Sequence, residues 1–225
     1  MSDMVQMMLV AQCVPESAEP LTEALERFDI SCVLLTPPGW QSGAGSSEDY
    51  ESAGLPALDQ AQCKALVSLI QDRNAAAIVA NDAALAVAVR ADGCHLDHTE
   101  ALDETYRNTR NLLGAGAIVG AMPGGTRHMA MSLAEASADY VGYTIKDDDG
   151  DTGLEFVAWW AEIFESPVVA FTNGELALCK RTIEAGPPDF LAIPLLTGDG
   201  SDHLSGIAQL IEQSGKLPIA AKDAK

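Results

Sequence analysis

Short apolar runs recur along the chain, and each is followed by a longer segment whose apolar residues have helical spacing. Apolar runs of this kind are typical of parallel strands buried on both faces, and the amphipathic segments are typical of helices that cover a sheet. The pattern predicts eight strands, at residues 5–13, 30–35, 75–80, 93–96, 117–121, 140–145, 167–171 and 190–195. It predicts eight helices, at residues 18–28, 58–73, 82–91, 100–113, 126–137, 153–164, 175–185 and 203–215.

The strict alternation of strands and helices indicates the α/β fold class. Eight β/α units fit a single closed (β/α)8 TIM barrel better than an open doubly wound sheet, which usually has about six strands. We expect one barrel domain over residues 1–225. The Gly/Ser/Pro-rich segment 37–56 is predicted to be a long loop after the second strand. The sequence favours neither of two roles for this loop, a lid over the site or a flexible surface insertion. Residues 217–225 are expected to form a flexible tail.

Charge limits the partners of this chain. There are 33 acidic and 13 basic residues, so the formal net charge is −20, which argues against nucleic acid or an anionic membrane as a partner. The N-terminus lacks the basic start of a signal peptide, and no apolar run approaches the roughly 18 residues of a membrane span, so a cytoplasmic location is expected. The oligomeric state is left open, a homo-oligomer included.

The five cysteines have no CxxC spacing, and each lies in an apolar segment. We therefore expect them to be buried, reduced thiols rather than metal ligands or nucleophiles. His95, which lies inside the fourth predicted strand, is likewise expected to be a buried core residue.

Candidate chemistry lies at the carboxyl ends of the strands, where TIM-barrel enzymes have their active sites. Asn81 and Asp82 follow the third strand. They are either a helix N-cap or part of a site in which Asp82 and a carboxylate from the next strand end bind Mg²⁺. Glu100 is the natural second ligand, and Asp97 is a substitute for it.

Gly124 and Gly125, in the segment MPGGTRH, lie between the fifth strand and its helix. Two glycines let a ligand approach the backbone closely, and the free N–H groups at a helix N-terminus favour an anion, with Arg127 nearby. A plain turn explains the same residues equally well.

Several passages also match a known family in order along the chain. They are Asn81-Asp82 followed by an apolar helix and ADGCHLD, then SADYVGYTIK, then TGLEFVAWW with SPVVAF, and then EAGPPDFLAI. These passages resemble the ND…ADGVHLGQ, ADYVGxGP, GLE with PVVAIGG, and AGADGVAVV segments of thiamine phosphate synthase and the related thiazole tautomerase. The match runs from about residue 75 to residue 193, and the first two strands fit only by pattern.

The resemblance implies a TIM barrel that joins hydroxymethylpyrimidine diphosphate to thiazole phosphate, with Mg²⁺ holding the diphosphate as it leaves. Asn81 is similar to the diphosphate-binding Asn, Asp82 to the metal-binding Asp, and Glu100 stands at the second metal ligand. Lys146 corresponds to the lysine of the TxTK segment if several residues are deleted.

Other positions depart from the family pattern. The QLRxK segment after the second strand is replaced by LLTPP, and the serine after the eighth strand is lost in PLLTGDG. In the Ser/Thr-rich turn after the fifth strand only Thr126 substitutes, while Gly124 and Gly125 supply backbone donors. Thr172 and Asn173 replace the Gly-Gly pair that holds thiazole phosphate, and Gly174 follows one place late.

The sequence therefore supports a divergent thiamine phosphate synthase, an Mg²⁺-dependent transferase acting on small phosphorylated molecules. The missing phosphate-binding elements support an alternative, a thiazole-tautomerase-like enzyme or a non-catalytic ligand-binding barrel of the same family. In a third interpretation, the acidic loops only keep the barrel soluble.

Overall fold

Eight parallel strands close into a barrel in the computed structural model, which describes residues 5–41, 55–147, 151–197 and 202–215. The strands are β1 Gln6–Gln12, β2 Ile30–Thr36, β3 Ala76–Ala80, β4 Gly93–Leu96, β5 Ile118–Ala121, β6 Tyr140–Thr144, β7 Val168–Phe171 and β8 Phe190–Pro194. Each strand pairs with the next, and β1 pairs with β8. The predicted TIM barrel is confirmed.

Eight α-helices alternate with these strands in the described part of the chain. They are α1 Ala18–Arg27, α2 Gln60–Gln71, α3 Ala83–Val89, α4 Leu102–Leu113, α5 Arg127–Glu135, α6 Thr152–Ile163, α7 Leu176–Ala185 and α8 His203–Ser214. The predicted bounds differ by a few residues at most, and the capping side chains explain some differences. For example, α2 begins at Gln60 rather than residue 58 because the Asp59 carboxylate accepts the N–H of Gln62.

The hydrophobic core has two layers. The larger layer lies between the strands and the surrounding helices and contains four of the five cysteines. All five cysteines are buried free thiols, as predicted. The smaller layer fills the barrel interior. Its buried members are Met8, Cys32, Leu34, Trp40, Ile78, Ala80, Met122, Tyr140, Val169, Phe171 and Ala192.

One interior level carries polar side chains. In the strand register His95 lies beside Gly120, and Gly120 lies beside Tyr140. A Cβ atom at Gly120 would lie 2.0 Å from the Tyr140 ring, so the missing side chain makes room for that ring inside the barrel. The Tyr140 ring can therefore stack on the imidazole of His95, with 5.7 Å between ring centroids.

The long loop predicted at residues 37–56 is described only at 37–41 and 55–56, and the tail predicted at 217–225 lies outside the described residues. None of the helices in the described ranges is long and apolar enough to cross a membrane.

Substituting Gly120 with Ala should lower the free energy of unfolding by about 1–3 kcal/mol, because the new methyl group overlaps the Tyr140 ring in a packed interior. Urea unfolding of the purified protein measures the change. Gly116→Ala is the matched control, since a Cβ atom there has no neighbour within 4 Å and its effect should stay within about 0.5 kcal/mol. Equal effects of the two substitutions would contradict the close packing at Gly120.

Candidate active site

Asn81 links the carboxyl ends of β3 and β4. Its backbone N–H donates to the His95 carbonyl at 2.7 Å, so the β3–β4 pairing continues one residue beyond β3. Asn81 then turns the chain into α3 with a φ of 55°, a left-handed conformation that Asn tolerates better than most residues. Its side chain forms two bonds with Asp97: Nδ2 donates to Oδ2 at 2.5 Å, and Oδ1 accepts the Asp97 N–H at 2.8 Å.

Asp97, which directly follows β4, is a buried carboxylate with only 4% of its surface exposed. Besides the bond from Asn81, Oδ2 accepts a hydrogen bond from Trp40 Nε1 at 2.8 Å. Burial alone would raise the pKa of the Asp97 carboxyl group, but the neighbouring His95 imidazole and the Trp40 and Asn81 donors outweigh it, so the pKa lies below its ordinary value of 3.8. The carboxylate is therefore ionised at neutral pH.

Trp40 reaches Asp97 because of the tight turn that follows β2. In the segment Pro37-Pro38-Gly39-Trp40, the Trp40 N–H donates to the Pro37 carbonyl at 3.1 Å, and Gly39 has a φ of 82°. Proline at the second position and a positive φ at the third position are the signature of a type II turn. The turn places the buried indole against His95 and Phe171, with ring centroids 6.5 and 6.2 Å apart.

His95 and Tyr140 extend the polar group into the barrel. His95 Nδ1 lies 2.8 Å from the Tyr140 hydroxyl oxygen. Burial raises the pKa of Tyr140 well above its ordinary value, so the hydroxyl keeps its proton and can donate it to Nδ1. When the hydroxyl donates to Nδ1, the neutral imidazole carries its proton on Nε2, which lies 3.6 Å from Asp97 Oδ1. His95 is fully buried, as the sequence predicts.

Asp82 and Glu100 lie on the strand-to-helix turns that follow β3 and β4, and both are exposed. Asp82 is the N-cap of α3, because its Oδ1 accepts the Leu85 N–H at 2.8 Å. Exposed carboxylate oxygens on neighbouring turns are ligands of the kind that Mg²⁺ uses together with water and substrate phosphate. The described residues contain no group of three or more His, Cys, Asp or Glu side chains arranged to hold a metal ion.

A cavity of about 580 Å³, which we call the mouth cavity, opens at the carboxyl ends of β6, β7 and β8. Its apolar walls are formed by Val10, Trp40, Ile145, Phe171, Leu178 and Pro194. Its polar walls are formed by Gln41, Thr144, Lys146, Asp147, Thr172 and Asn173. A cavity that combines apolar walls with a small number of polar groups is the usual form of a small-molecule site. A second cavity, of about 440 Å³, shares Val10, Trp40 and Pro194 with it.

Three of the predicted site residues, Lys146, Thr172 and Asn173, line the mouth cavity. Thr172 is buried, and its hydroxyl accepts the Gly174 N–H at 3.3 Å, while Asn173 Oδ1 accepts the Glu175 N–H at 2.9 Å. Both side chains thus stabilise the turn between β7 and α7. The exposed Lys146 is the one cationic residue among the described residues that line the cavity.

Gly174 and Asp147 border this region. Gly174 is buried with a φ of 82°, and a Cβ atom there would lie 3.1 Å from the His203 ring, so it packs against α8. The Asp147 carboxylate, which lines the cavity, pairs with Arg181 of α7 at 3.4 Å. This pair brings a second cation to the rim near Lys146.

The predicted turn after β5 lies outside the described lining of the mouth cavity. Gly124, Gly125 and Thr126 are exposed, and the Thr126 hydroxyl caps α5 by accepting the Met129 N–H at 3.3 Å. A Cβ atom at Gly124 would lie 2.3 Å from the His98 ring, so the close neighbour of this glycine is a side chain of the adjacent turn. The Arg127 guanidinium lies over the Trp159 ring, 4.6 Å from its centroid.

The predicted residues thus fall into separate places: Asn81, Asp82 and Glu100 follow β3 and β4, the Gly-Gly turn follows β5, and the others follow β6 and β7. Sequence reasoning missed Trp40 and Thr144. The PPGW turn was a signal for Trp40, because it fixes where the chain goes after β2. Thr144 offered no comparable signal, since only the closed barrel places it on the cavity wall.

The fold and this strand-end site define a TIM-barrel protein with a mouth suited to a small molecule. Residues 56–187 match the model of a family described as thiamine monophosphate synthase. A thiamine-phosphate synthase of Erythrobacter litoralis is 33% identical over 74% of this chain and 76% of its own length. One from Rhodospirillum centenum is 31% identical over 90% of this chain and 91% of its own length.

A solved structure of thiamine phosphate pyrophosphorylase from Pyrococcus furiosus has the same fold, with a TM-score of 0.67 at 21% identity over 93% of this chain and 96% of that chain. The family match covers more than half of the chain, and the relatives span most of it. The chain therefore belongs to the thiamine monophosphate synthase family.

Asp97→Ala should lower the free energy of unfolding by about 2–4 kcal/mol at pH 7, because it leaves the Trp40 and Asn81 donors without an acceptor. Since the folded-state pKa of Asp97 lies below 3.8, the ionised carboxylate stabilises the fold fully above that value and loses this contribution as pH falls through the folded-state pKa. Urea unfolding should therefore give a constant difference between pH 7 and pH 5 that shrinks only below about pH 3.8.

The matched control is Asp72→Ala, the same substitution at an exposed C-cap position of α2, with an expected effect within about 0.5 kcal/mol. A difference for Asp97→Ala that already shrinks between pH 7 and pH 5 would contradict the assignment, because a carboxyl group of lowered pKa stays fully ionised in that interval.

Proposed function

We propose that this protein is a thiamine-phosphate synthase that joins hydroxymethylpyrimidine diphosphate to thiazole phosphate and releases diphosphate. The observation that carries the proposal is the mouth cavity, in which Lys146 lies beside an apolar wall at the barrel's catalytic end, in a chain related to enzymes of that name. The location that fits is the cytoplasm, because five buried free thiols suit a reducing compartment.

In this reaction the thiazole nitrogen forms a C–N bond to the methylene carbon of the pyrimidine as the C–O bond to diphosphate breaks. The protein must hold the two rings in line and stabilise the negative charge that builds up on the leaving group. Lys146 is the cation for that charge, and the Thr172 hydroxyl and Asn173 amide bind phosphate oxygens beside it. The Gly174 N–H stabilises the same turn by donating to the Thr172 hydroxyl oxygen.

The groups after β3, β4 and β5 would bind the diphosphate from the other side. The Asn81 amide has two N–H bonds, of which Asp97 accepts one, and the other would donate to a diphosphate oxygen. The backbone N–H groups of Gly124 and Gly125 and the Thr126 hydroxyl add donors. Asp82 and Glu100 would hold Mg²⁺, which when bound neutralises diphosphate charge.

The proposal requires that the purified protein form thiamine phosphate from the two substrates with Mg²⁺ present, measured by chromatography of the product. Lys146→Ala should lower kcat/KM by about tenfold or more, because one charge-assisted contact to the leaving group is lost. Lys64→Ala, the same change on the exposed face of α2, should leave kcat/KM unchanged. Wild-type inactivity with both substrates at millimolar concentration would contradict the proposal.

The metal role of Asp82 can be separated from its capping role. Asp82→Asn keeps an oxygen for the Leu85 N–H but loses the charge, so Mg²⁺-dependent turnover should fall about tenfold or more while the melting temperature stays unchanged. Asp82→Ala should lower both quantities. Turnover and Mg²⁺ dependence equal to wild type in Asp82→Asn would remove Asp82 from the metal site.

A thiazole-tautomerase-like or purely ligand-binding role is the second candidate. The observation that favours it is Leu34, which replaces a polar residue of the family's QLRxK segment and is fully buried in the barrel interior. Tight calorimetric binding of hydroxymethylpyrimidine diphosphate that is lost on chelation of Mg²⁺ would count against this role.

A further inference from the structure

Trp40 is a large aromatic side chain that packs in the interior layer of the core and lines the mouth cavity. We propose that its indole binds the flat heteroaromatic ring of a phosphorylated substrate, which makes Trp40 a positioning and specificity-determining residue. The inference deepens the proposed function and rests on it, because a heteroaromatic ring with an anionic group is the chemistry that both substrates share.

The first support is that Trp40 is held in place before any ligand arrives. Its only polar atom, Nε1, donates to the buried Asp97 carboxylate at 2.8 Å, and its backbone is fixed by the turn at Gly39. A side chain whose position is fixed in advance loses little conformational freedom when it binds a ring.

The second support is the space around the indole. Trp40 lines both the mouth cavity and the second cavity, of about 580 and about 440 Å³. The neighbouring rings of His95 and Phe171 meet it at interplanar angles of 83° and 61°, so neither stacks flat on the indole. Trp40 is 8% exposed, and the cavity that it lines is the space from which a planar ligand ring would contact the indole.

The third support is the polar side of the same cavity. The Thr144 hydroxyl is buried and has no hydrogen-bond partner among the described residues, although Thr144 lines the mouth cavity together with Lys146. A buried polar atom without a partner calls for an explanation, and for a hydroxyl on a cavity wall one explanation is a bond to a ligand oxygen after rotation of the side chain. The apolar side chains of Trp40 and Phe171, together with Thr144 and Lys146 in the same lining, suit a ring that carries an anionic group.

Tryptophan emission offers a direct test, because the chain has three tryptophans and Trp159 and Trp160 both lie in α6. We would titrate wild type, Trp40→Phe and Trp159→Phe separately with thiazole phosphate and with hydroxymethylpyrimidine diphosphate. At least one ligand should quench the emission of wild type and Trp159→Phe, and that quenching should be absent in Trp40→Phe. The ligand that quenches identifies the ring bound at Trp40, and either result supports the proposal.

Calorimetry and steady-state kinetics give a second readout. Trp40→Phe keeps a ring and should weaken binding of the quenching ligand about threefold, whereas Trp40→Ala should weaken it about tenfold or more and raise only that substrate's KM. A loss of structure alone would not select one substrate. Trp159→Phe is the matched control and should leave both KM values unchanged.

Quenching of equal size in Trp40→Phe and wild type would overturn the proposal, even if Trp40→Ala does not fold. A Kd within twofold of wild type for both ligands in Trp40→Ala would also overturn it. These outcomes are distinct from failure of the proposed function. Quenching by a ligand without product formation would support ring binding and contradict synthase activity. Full product formation by Trp40→Ala would contradict ring binding only.

Discussion

A buried negative charge organises the catalytic end of this barrel. The Asp97 carboxylate is almost fully removed from water, and an isolated charge in that position would be strongly destabilising. Two hydrogen bonds and one longer contact surround it: Trp40 donates from the loop after β2, Asn81 donates from the end of β3, and His95 of β4 lies 3.6 Å away. Three neighbouring strands are thus tied together at one acidic group.

That arrangement also shapes the space for a ligand. The indole held by Asp97 lines the mouth cavity, whose other walls include Lys146, Thr172 and Asn173 after β6 and β7. The acidic residues after β3 and β4 lie outside the described lining of this cavity. In a chain with a net charge of −20, the one carboxylate among the described lining residues, Asp147, is paired with Arg181. Anion binding at the mouth is therefore a local property of a few groups.

Much of the fold could be predicted from sequence because each β/α unit carries its own signal. Apolar strands and amphipathic helices follow from local periodicity, and capping residues such as Asp59 and Asp82 fix helix starts within a few residues. The side-chain pairing of the site was harder to predict. Asn81 and Asp97 are 16 residues apart, and Trp40 and Asp97 are 57 apart, so their bonds depend on strand register and barrel closure rather than on local pattern.

The roles assigned through the family resemblance also depend on the difference between local sequence pattern and contacts made by the closed barrel. A motif places a residue at the end of a strand, as it does for Asn81 and Lys146, but it does not reveal which neighbour that side chain bonds. The amide of Asn81 is engaged by Asp97, and the hydroxyl of Thr126 caps a helix. Both side chains therefore have structural roles that the motif alone does not reveal, because those roles depend on the spatial neighbours of each residue.

The reciprocal bonds between Asn81 and Asp97 have a consequence for how this chain can evolve. Asn81 must adopt a left-handed backbone, accept a backbone N–H and donate to a carboxylate with one short side chain. Aspartate would set two negative charges against each other, and glycine would remove both bonds. The two positions are therefore expected to covary, because an acceptable change at either residue requires a matching change at the other.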